Sequence, residues 1–178
     1  MNTVGSLEEF LKNHPPKYNL YYPANEGGLA NTRPCDLFIR ILSEHVSCLY
    51  AGTKTYELRK YVPLHTGWVF LFDTDGMQAV TGCFFFKDCI VQPISELWLT
   101  VGEKATSKDI FDSYFSSKKF GVALKIERVL QADHPIYQDE LYEKFPDLPP
   151  PPEPFVYLYS PVGSKFSTFL RSRFSGAF

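Results

Sequence analysis

Short apolar runs, separated by polar and turn-forming positions, predict that the chain alternates strands with small helices. Apolar residues around Arg40 favour a first strand at 35–42. Ser43 is the expected N-cap of a helix of about two to three turns, which the apolar spacing after it favours and which Gly52 ends, where a left-handed residue ends many helices. The later predicted elements are strands at 54–61, 68–76 and 77–94, helices beginning near 93 and 107, a strand at 120–133, a short helix at 137–145 and a final strand at 155–161.

The predicted order through the central chain, β-α-β-β-β-α-α-β, disfavours an all-helical fold and a doubly wound parallel sheet. It favours an α+β fold in which a mixed β-barrel or a strongly bent sheet has small peripheral helices. Gly82 lies inside the long strand predicted at 77–94, where it favours a bulge or a close approach of another segment. Asp73, Asp75 and Gly76 are typical of a hairpin turn.

Both ends of the chain predict extensions of a central domain at 36–160. Residues 1–35 combine a capping-box pattern near the start with an irregular segment rich in Pro, Gly and Asn, so they predict a short helix followed by a connector. Five prolines in 149–154 predict an extended polyproline strap. The last segment, 161–178, interleaves basic residues with phenylalanines. It predicts either an amphipathic helix packed on the domain or a tail that stacks on single-stranded nucleic acid.

The composition is that of a globular protein, with 44% hydrophobic and 21% charged residues among 178. This length suits a single well-buried domain, and aromatic residues at 16% are expected to dominate its core. No apolar run approaches the roughly 18 residues that cross a bilayer, and the first residues lack the pattern of a signal peptide. We therefore expect a cytoplasmic protein that makes no contact with membranes.

Charge and cysteine content exclude several classes of function. A formal net charge of −2 argues against a broad phosphate-binding surface, so any contact with nucleic acid has to be local. The four cysteines form no CxxC pair, which predicts reduced, mostly buried thiols rather than disulfides or a zinc site. The four histidines are scattered without ligand spacing, so we expect no metal and no cofactor.

The segment AGTKTYELRKY places charged residues where the alternation predicts a half-buried strand. Alternation puts Thr55, Glu57 and Arg59 on one face, while the apolar residues between them pack into the core. Arg40 on the preceding strand could lie across the same face and give Glu57 a cationic partner. Lys54 joins this set only if the chain bends just before it, because strict alternation places it opposite Glu57.

These residues also carry a resemblance to a known family. The stretch LFIRILSEHVSCLYAGTKTYELRK resembles the opening of ASCH domains, which have a PUA-like fold and a G-x-K-x-x-E-x-R signature matched here by Gly52, Lys54, Glu57 and Arg59. PLHTGWVFLFDT, AVTGCFFFKDCIVQPISELW, SKDIFDSYFSSKKFGVALKIERV and PPPEPFVYL resemble later parts of the family in the same order. The resemblance covers about residues 36–160 and implies a PUA-like barrel with a cleft between barrel and helices.

The resemblance implies that the ligand is RNA or a modified nucleoside. It binds in a polar cleft lined by Arg40, Lys54, Thr55, Glu57 and Arg59. A carboxylate there can accept hydrogen bonds from the amino or ring N–H groups of a base, and the cations can hold carbonyl oxygens or a phosphate. Aromatic walls can stack on the ring.

Two alternatives remain open. Some small ASCH members are amidohydrolases acting on N4-acetylcytidine, so the chain could be such an enzyme or a ribonuclease, with Lys54, Glu57 and Thr55 as catalytic candidates. Lys54 matches the family's lysine, but Glu57 occupies the position of its threonine, and Glu96 and Glu103 lie in the region of its distant glutamate. The second alternative is a protein-interaction adaptor that uses the proline strap and the C-terminal tail.

Overall fold

The computed structural model describes residues 35–61, 63, 65–148, 155–174 and 177–178. The helix predicted near the start of the chain, the connector up to residue 34 and the proline strap at 149–154 lie outside the described residues.

Six strands and five α-helices form the described part of the chain. The strands are β1 (Leu37–Ile41), β2 (Tyr56–Arg59), β3 (Gly67–Asp73), β4 (Ala79–Pro93), β5 (Phe120–Tyr137) and β6 (Val156–Tyr157). The helices are α1 (Ser43–Tyr50), α2 (Ile94–Val101), α3 (Lys108–Phe115), α4 (Gln138–Lys144) and α5 (Pro161–Arg171), with a 3-10 turn at Gly102–Lys104 between α2 and α3. The predicted order of elements is confirmed, and β5 runs farther than expected, to Tyr137.

The six strands form one mixed sheet in the order β2-β5-β4-β3-β1-β6. β1 and β3 are parallel, and the other neighbouring strands are antiparallel. The prediction of an α+β fold with small helices outside the sheet is confirmed, but the predicted closed barrel is not. Within the described residues β2 and β6 are the two edges of the sheet, and they are only four and two residues long. Such short strands offer little backbone with which to close the sheet.

The two long strands β4 and β5 pair irregularly. Their pairing shifts register at three points, one of them between Val80 and Gly82. A Cβ atom at Gly82 would collide with the hydroxyl of Tyr50 and with the carbonyl oxygen of Leu130. The predicted irregularity at Gly82 is therefore confirmed, and its cause is the close approach of α1 and β5 to the backbone of β4.

Alternate residues of the central strands pack into two cores on opposite faces of the sheet, as expected for a sheet covered on both sides. On one face, Val46 and Leu49 of α1 cover the strands. On the other, α5 covers them with Phe166 and Leu170, which are fully buried. A third cluster joins α2 and α3 to the β2 end of the sheet, through Leu97, Phe111, Phe115, Leu58 and Ala123.

The segment at 161–178 contains a packed amphipathic helix rather than an extended basic tail. Ser160 caps α5 by accepting a hydrogen bond from the N–H of Gly163 at 3.0 Å. Arg171 holds the carboxylate of Asp36, just before β1, with two hydrogen bonds of 2.7 and 2.8 Å. Of the two structures predicted for this segment, α5 is the amphipathic helix packed on the domain.

Side chains of the β3–β4 turn cap the N-terminus of helix α1. Ser43 is the first residue of the helix rather than its N-cap, which is Leu42. Asp75 accepts a hydrogen bond from the N–H of Ser43 at 2.8 Å, and Asp73 accepts one from its hydroxyl at 2.7 Å. The predicted hairpin turn is confirmed, and its carboxylates supply the helix cap that the sequence assigned to Ser43.

All four cysteines are free thiols. Cys35 and Cys83 are buried, Cys89 is half-buried and Cys48 is exposed. Burial raises the pKa of Cys35 to about 11, so this thiol stays protonated at neutral pH. Among the described helices, none is both long enough and apolar enough to cross a bilayer.

Candidate functional site

A tight turn carries the chain from α1 into β2. Gly52 has a φ of +71°, in the left-handed region that glycine adopts without strain. The N–H groups of Thr53 and Lys54 both donate to the carbonyl oxygen of Cys48, at 3.0 and 3.1 Å. Lys54 therefore lies in the turn, two residues before β2 begins at Tyr56. The alternation of the strand does not apply to Lys54, which is why it can lie on the same side as Glu57.

Lys54, Glu57 and Arg59 form a cluster that we call the charged triad. Lys54 Nζ lies 3.3 Å from Glu57 Oε2, and a terminal nitrogen of Arg59 lies 2.8 Å from Glu57 Oε1. Each of the three residues is at most 8% exposed. Lys54 Nζ also donates a hydrogen bond of 2.7 Å to the carbonyl oxygen of Ala105. Glu57 is thus a buried carboxylate with a different cation on each oxygen.

The charges of the triad determine the protonation of Glu57. Burial alone raises the pKa of a carboxyl group, but Lys54 and Arg59 oppose it and hold the pKa of Glu57 below its ordinary value of 4.5. Glu57 is therefore an anion at neutral pH. Its Oε2 atom is buried, and its close partner within the described part of the chain is Lys54 Nζ at 3.3 Å, a long ion-pair contact. A carboxylate oxygen with a single long contact can accept a further hydrogen bond.

The charged triad lines a cavity of about 270 Å³, which we call the inner cavity. Arg40 lies in its wall as an exposed residue at the end of β1. Arg40 and Glu57 therefore line the same cavity. However, the ion pairs that the structure shows for Glu57 are with Lys54 and Arg59, and three other strands separate β1 from β2 in the sheet.

A larger and more open cavity of about 590 Å³, the outer cavity, adjoins the inner one. The two share Lys54 together with His45, Thr106 and Ile110. Helix α1 supplies His45, the link from the 3-10 turn to α3 supplies Thr106, and α3 itself supplies Ile110. The site is therefore a continuous depression between α1 and α3, with the charged triad at its inner end.

His45 is a site residue that sequence reasoning missed. It lies between Leu42 and Leu49 on the inner face of α1, and that spacing was the available signal. Its side chain is 20% exposed. Burial, together with the positive charge of Lys54, lowers the pKa of His45 below 6.5, so the imidazole is neutral at pH 7.

Of two threonines near Lys54, the one that lines the cavities is not the one that the sequence predicted. Thr55, predicted to line the cleft, is exposed and lines neither cavity. Thr106 was not predicted, yet it lines both cavities, and its buried hydroxyl makes no hydrogen bond within the described residues. Thr106 follows a 3-10 turn in which the carbonyl oxygen of Lys104 accepts a hydrogen bond from the N–H of Thr55, so no local pattern places Thr106 near Lys54.

The two glutamates considered from the family resemblance lie in different places. Glu103 lines the outer cavity, whereas Glu96 is exposed on α2 and lines neither cavity. Among the described residues, no group of three His, Cys, Asp or Glu side chains could hold a metal ion.

Comparisons with known proteins identify the fold. No protein-family model matches the sequence, and no curated protein matches it. Among solved structures, the chain is similar to ASCH from Zymomonas mobilis with 21% identity and a TM-score of 0.66, over 75% of this chain and 94% of that chain. A Tyr-to-Phe mutant of that protein matches with 22% identity and a Ser-to-Ala mutant with 21%, each at a TM-score of 0.66 over 75% of this chain, and over 96% and 95% of theirs. The chain therefore has an ASCH-like α+β fold.

Proposed function

We propose that the inner cavity binds a nucleobase, presented by RNA or by a modified nucleoside. The observation that carries this proposal is the carboxylate of Glu57, a buried anion in the cavity wall whose Oε2 atom has one long contact among the described residues, the 3.3 Å ion pair with Lys54. A carboxylate can accept further hydrogen bonds, and each one that a ligand supplies offsets part of the cost of burying the charge. The amino and ring N–H groups of a base are donors of this kind.

The size and walls of the inner cavity suit a ligand of this size. Its volume of about 270 Å³ is close to the lower limit of small-molecule pockets, roughly 300 Å³. Leu42, Ile110 and Tyr114 supply apolar and aromatic surface around the polar cluster. A flat ring can pack against such walls while its polar edge meets the charged triad.

Charge near the cavity suits a ligand that carries a phosphate. Arg40, Lys54 and Arg59 outnumber the one carboxylate among the residues that line the inner cavity, Glu57. The site is therefore locally cationic although the whole chain has a net charge of −2. Arg40 is the exposed member of this group, so it can bind a phosphate that stays outside the cavity.

The proposal is tested by titrating the protein with ribonucleoside monophosphates and with short single-stranded RNA, using calorimetry. We expect binding by the native chain and a loss of about tenfold or more in Glu57→Gln, because a neutral amide is a weaker acceptor than a carboxylate. Glu127→Gln is the matched control, since Glu127 is exposed on β5 and lines neither cavity. Circular dichroism checks that both variants fold. Equal affinity of the native chain and Glu57→Gln would contradict the proposal, as would the absence of any binding.

The neutral imidazole of His45 favours a second candidate, hydrolysis in the same site. A neutral histidine can accept a proton, and Lys54, beside it, can stabilise negative charge on a reacting oxygen. This is the amidohydrolase or ribonuclease alternative, with His45 added to Lys54 and Glu57. Incubation with N4-acetylcytidine, or with labelled RNA, tests it. Turnover that disappears in both Lys54→Met and His45→Gln would support hydrolysis, and the absence of turnover in the native chain would exclude it for these substrates.

A further inference from the structure

We propose that a cluster beside the inner cavity binds the phosphates of a single-stranded RNA whose base enters the cavity. The cluster consists of Lys60, Tyr61, Tyr114 and Lys118, and we call it the lysine–tyrosine clasp. The inference rests on the proposed function, because it assigns a polymer strand, rather than a free nucleoside, to the same site. It is carried by two lysines that tyrosine rings hold in place without neutralising them.

Two segments form the clasp, and each supplies one lysine and one tyrosine. Lys60 and Tyr61 follow β2, whereas Tyr114 belongs to the last turn of α3 and Lys118 comes after that helix ends. The ammonium of Lys60 lies 4.5 Å from the ring centre of Tyr114, and that of Lys118 lies 4.6 Å from the ring centre of Tyr61. Lys118 also donates a hydrogen bond of 3.4 Å to the hydroxyl of Tyr61. The contacts are therefore reciprocal between the two segments.

The clasp adjoins the inner cavity through both of its segments. Tyr114 lines the cavity, and so does Arg59, the residue before Lys60. All four clasp residues are half-buried, so each keeps part of its surface in contact with water. The two lysines are therefore next to the cavity and outside the buried charged triad.

The cations beside the cavity are not neutralised by acids. Among the described residues, Arg40, Lys60 and Lys118 form no ion pair with a carboxylate. Several cations elsewhere on the surface do form one, namely Lys108 with Asp112, Arg171 with Asp36 and Arg173 with Glu140. A tyrosine ring attracts a cation through its quadrupole but leaves the positive charge in place. Cations that are held but not neutralised suit an anionic ligand.

The hydrogen-bond donors of the clasp suit phosphate oxygens. An ammonium carries three N–H groups. Lys60 makes no hydrogen bond among the described residues and Lys118 makes one, so each has at least two N–H groups left to donate. Lysine binds phosphate as a point charge, and a side chain that is already held in place loses less entropy when a ligand binds.

The distribution of the cations favours a strand over a free nucleotide. Arg40 lies at the end of β1, whereas the clasp joins the end of β2 to α3, so cations reach the cavity from two separate parts of the fold. A nucleotide within a strand has a phosphate on its 5′ side and another on its 3′ side. A free nucleoside monophosphate has only one. The arrangement therefore matches a base that enters the cavity while the strand continues on both sides.

The test is calorimetric titration of the native chain with the RNA trinucleotides UUU, CCC and AAA, and with UMP, CMP and AMP. We expect the best trinucleotide to bind at least about tenfold more tightly than its monophosphate, because it adds phosphate contacts. Equal affinities would overturn the inference but leave the proposed function standing. UTP, CTP and ATP separate the two sources of phosphate, and an equal gain by a triphosphate would overturn the assignment to a strand. If nothing binds, the proposed function fails first.

Variants of the two lysines test the clasp itself. Lys60→Gln and Lys118→Gln are each expected to reduce the slope of log affinity against log salt concentration by about 0.7 for the trinucleotide, the value for one phosphate contact on a single strand. Affinity for uridine, cytidine and adenosine, which carry no phosphate, should not change. Lys165→Gln is the matched control and should keep the slope, because Lys165 is exposed on α5, on the opposite face of the sheet.

The salt dependence also separates a binding role from a structural one. A clasp that only joins β2 to α3 would lower the stability of both variants and leave the slope unchanged, and that result would overturn the inference. In the native chain, the slope for the trinucleotide should be steeper than the slope for the nucleosides. This comparison does not depend on how the variants fold, and equal slopes would likewise overturn the inference.

Discussion

The charged triad beside the inner cavity and the cluster of Asp36, Ser167 and Arg171 below α5 both surround one carboxylate with donors. In the second cluster, which we call the helix anchor, both oxygens of Asp36 accept hydrogen bonds from Arg171, and Ser167 adds one more. In the triad, the close contacts of Glu57 recorded in the structure are ion pairs with Lys54 and Arg59, and the one to Oε2 is the longer, at 3.3 Å.

The comparison separates a structural cluster from a candidate binding site. Residues of the helix anchor lie 131 and 135 positions apart in the sequence, so their contacts join the C-terminal helix to the start of β1. The triad lies within six consecutive residues and joins no distant elements by its ion pairs. A carboxylate that accepts hydrogen bonds between distant segments stabilises the fold, whereas one that is held by local ion pairs in a cavity wall is a candidate for binding a ligand.

The largest effect is expected when Glu57 is removed. Glu57→Ala leaves Lys54 and Arg59 buried without their anion, which costs about 3–5 kcal/mol of unfolding free energy when one partner of a buried ion pair is deleted. Urea denaturation measures this cost. Glu127→Ala, at an exposed site, is the control and should change stability by less than about 0.5 kcal/mol. A similar small change in Glu57→Ala would mean that the triad is hydrated rather than buried.

A smaller effect on stability is expected at the helix anchor. The side chain of Arg171 is 37% exposed and that of Asp36 is 10% exposed, so water can replace part of the lost contacts. Arg171→Ala should cost about 1–3 kcal/mol, the range for hydrogen bonds between charged groups. Nucleotide affinity, measured on the folded variant, should stay unchanged. A loss of nucleotide affinity in Arg171→Ala would show that the helix anchor also contributes to ligand binding.

A pH-dependent effect is expected at the cavity. Burial and the charge of Lys54 lower the pKa of His45 from 6.5 in the folded chain. Just below pH 6.5 the unfolded chain therefore binds more protons than the folded chain. The free energy of unfolding consequently decreases as the pH falls from 6.5 through the lowered pKa. The lowered pKa of Glu57 acts in the same direction below pH 4.5. Glu44 and Arg59 also act on His45, in opposite directions.

Urea denaturation at a series of pH values measures both steps. His45→Gln should remove the loss of stability that begins near pH 6.5 and retain the one below pH 4.5. The same pH profile in His45→Gln and in the native chain would show that another group titrates in the upper range.

The smallest effect is expected at Thr55. Its contacts recorded in the structure are made by its backbone, which donates to Lys104 and accepts from Ile126, and these survive a change of side chain. Thr55→Ala should therefore change stability by less than about 0.5 kcal/mol and leave nucleotide affinity unchanged. Thr106→Ala is the contrasting variant, and calorimetry should show weaker binding because its buried hydroxyl lines the cavity. If Thr55→Ala weakened binding and Thr106→Ala did not, Thr55 rather than Thr106 would belong to the binding site.

Much of the fold was predictable because its signals are local. The strand around Arg40, the helix after Ser43 with its left-handed Gly52, and the irregularity at Gly82 each depend on residues close together in the sequence. The closed barrel was predicted wrongly. Closure requires that the two edge strands meet, and the lengths of β2 and β6 depend on the elements packed around them rather than on their own patterns.

The candidate site was predictable only in part, for the same reason. Lys54, Glu57 and Arg59 lie close together because the chain between them is short. His45 and Thr106 join them through the packing of α1 and of the α2–α3 link. Strict alternation was a poor guide to Lys54 and Thr55, because β2 starts only at Tyr56.

The sequence by itself determined the strands and helices, the order in which they follow, and the three charged residues at the centre of the site. Periodicity and turn residues encode those features within a few positions of the chain. Tertiary structure decided that the sheet stays open, that α5 packs on the domain, and that a cavity forms around Glu57. These features depend on contacts such as that of Lys54 with Ala105, 51 positions away, which form only when whole elements pack together.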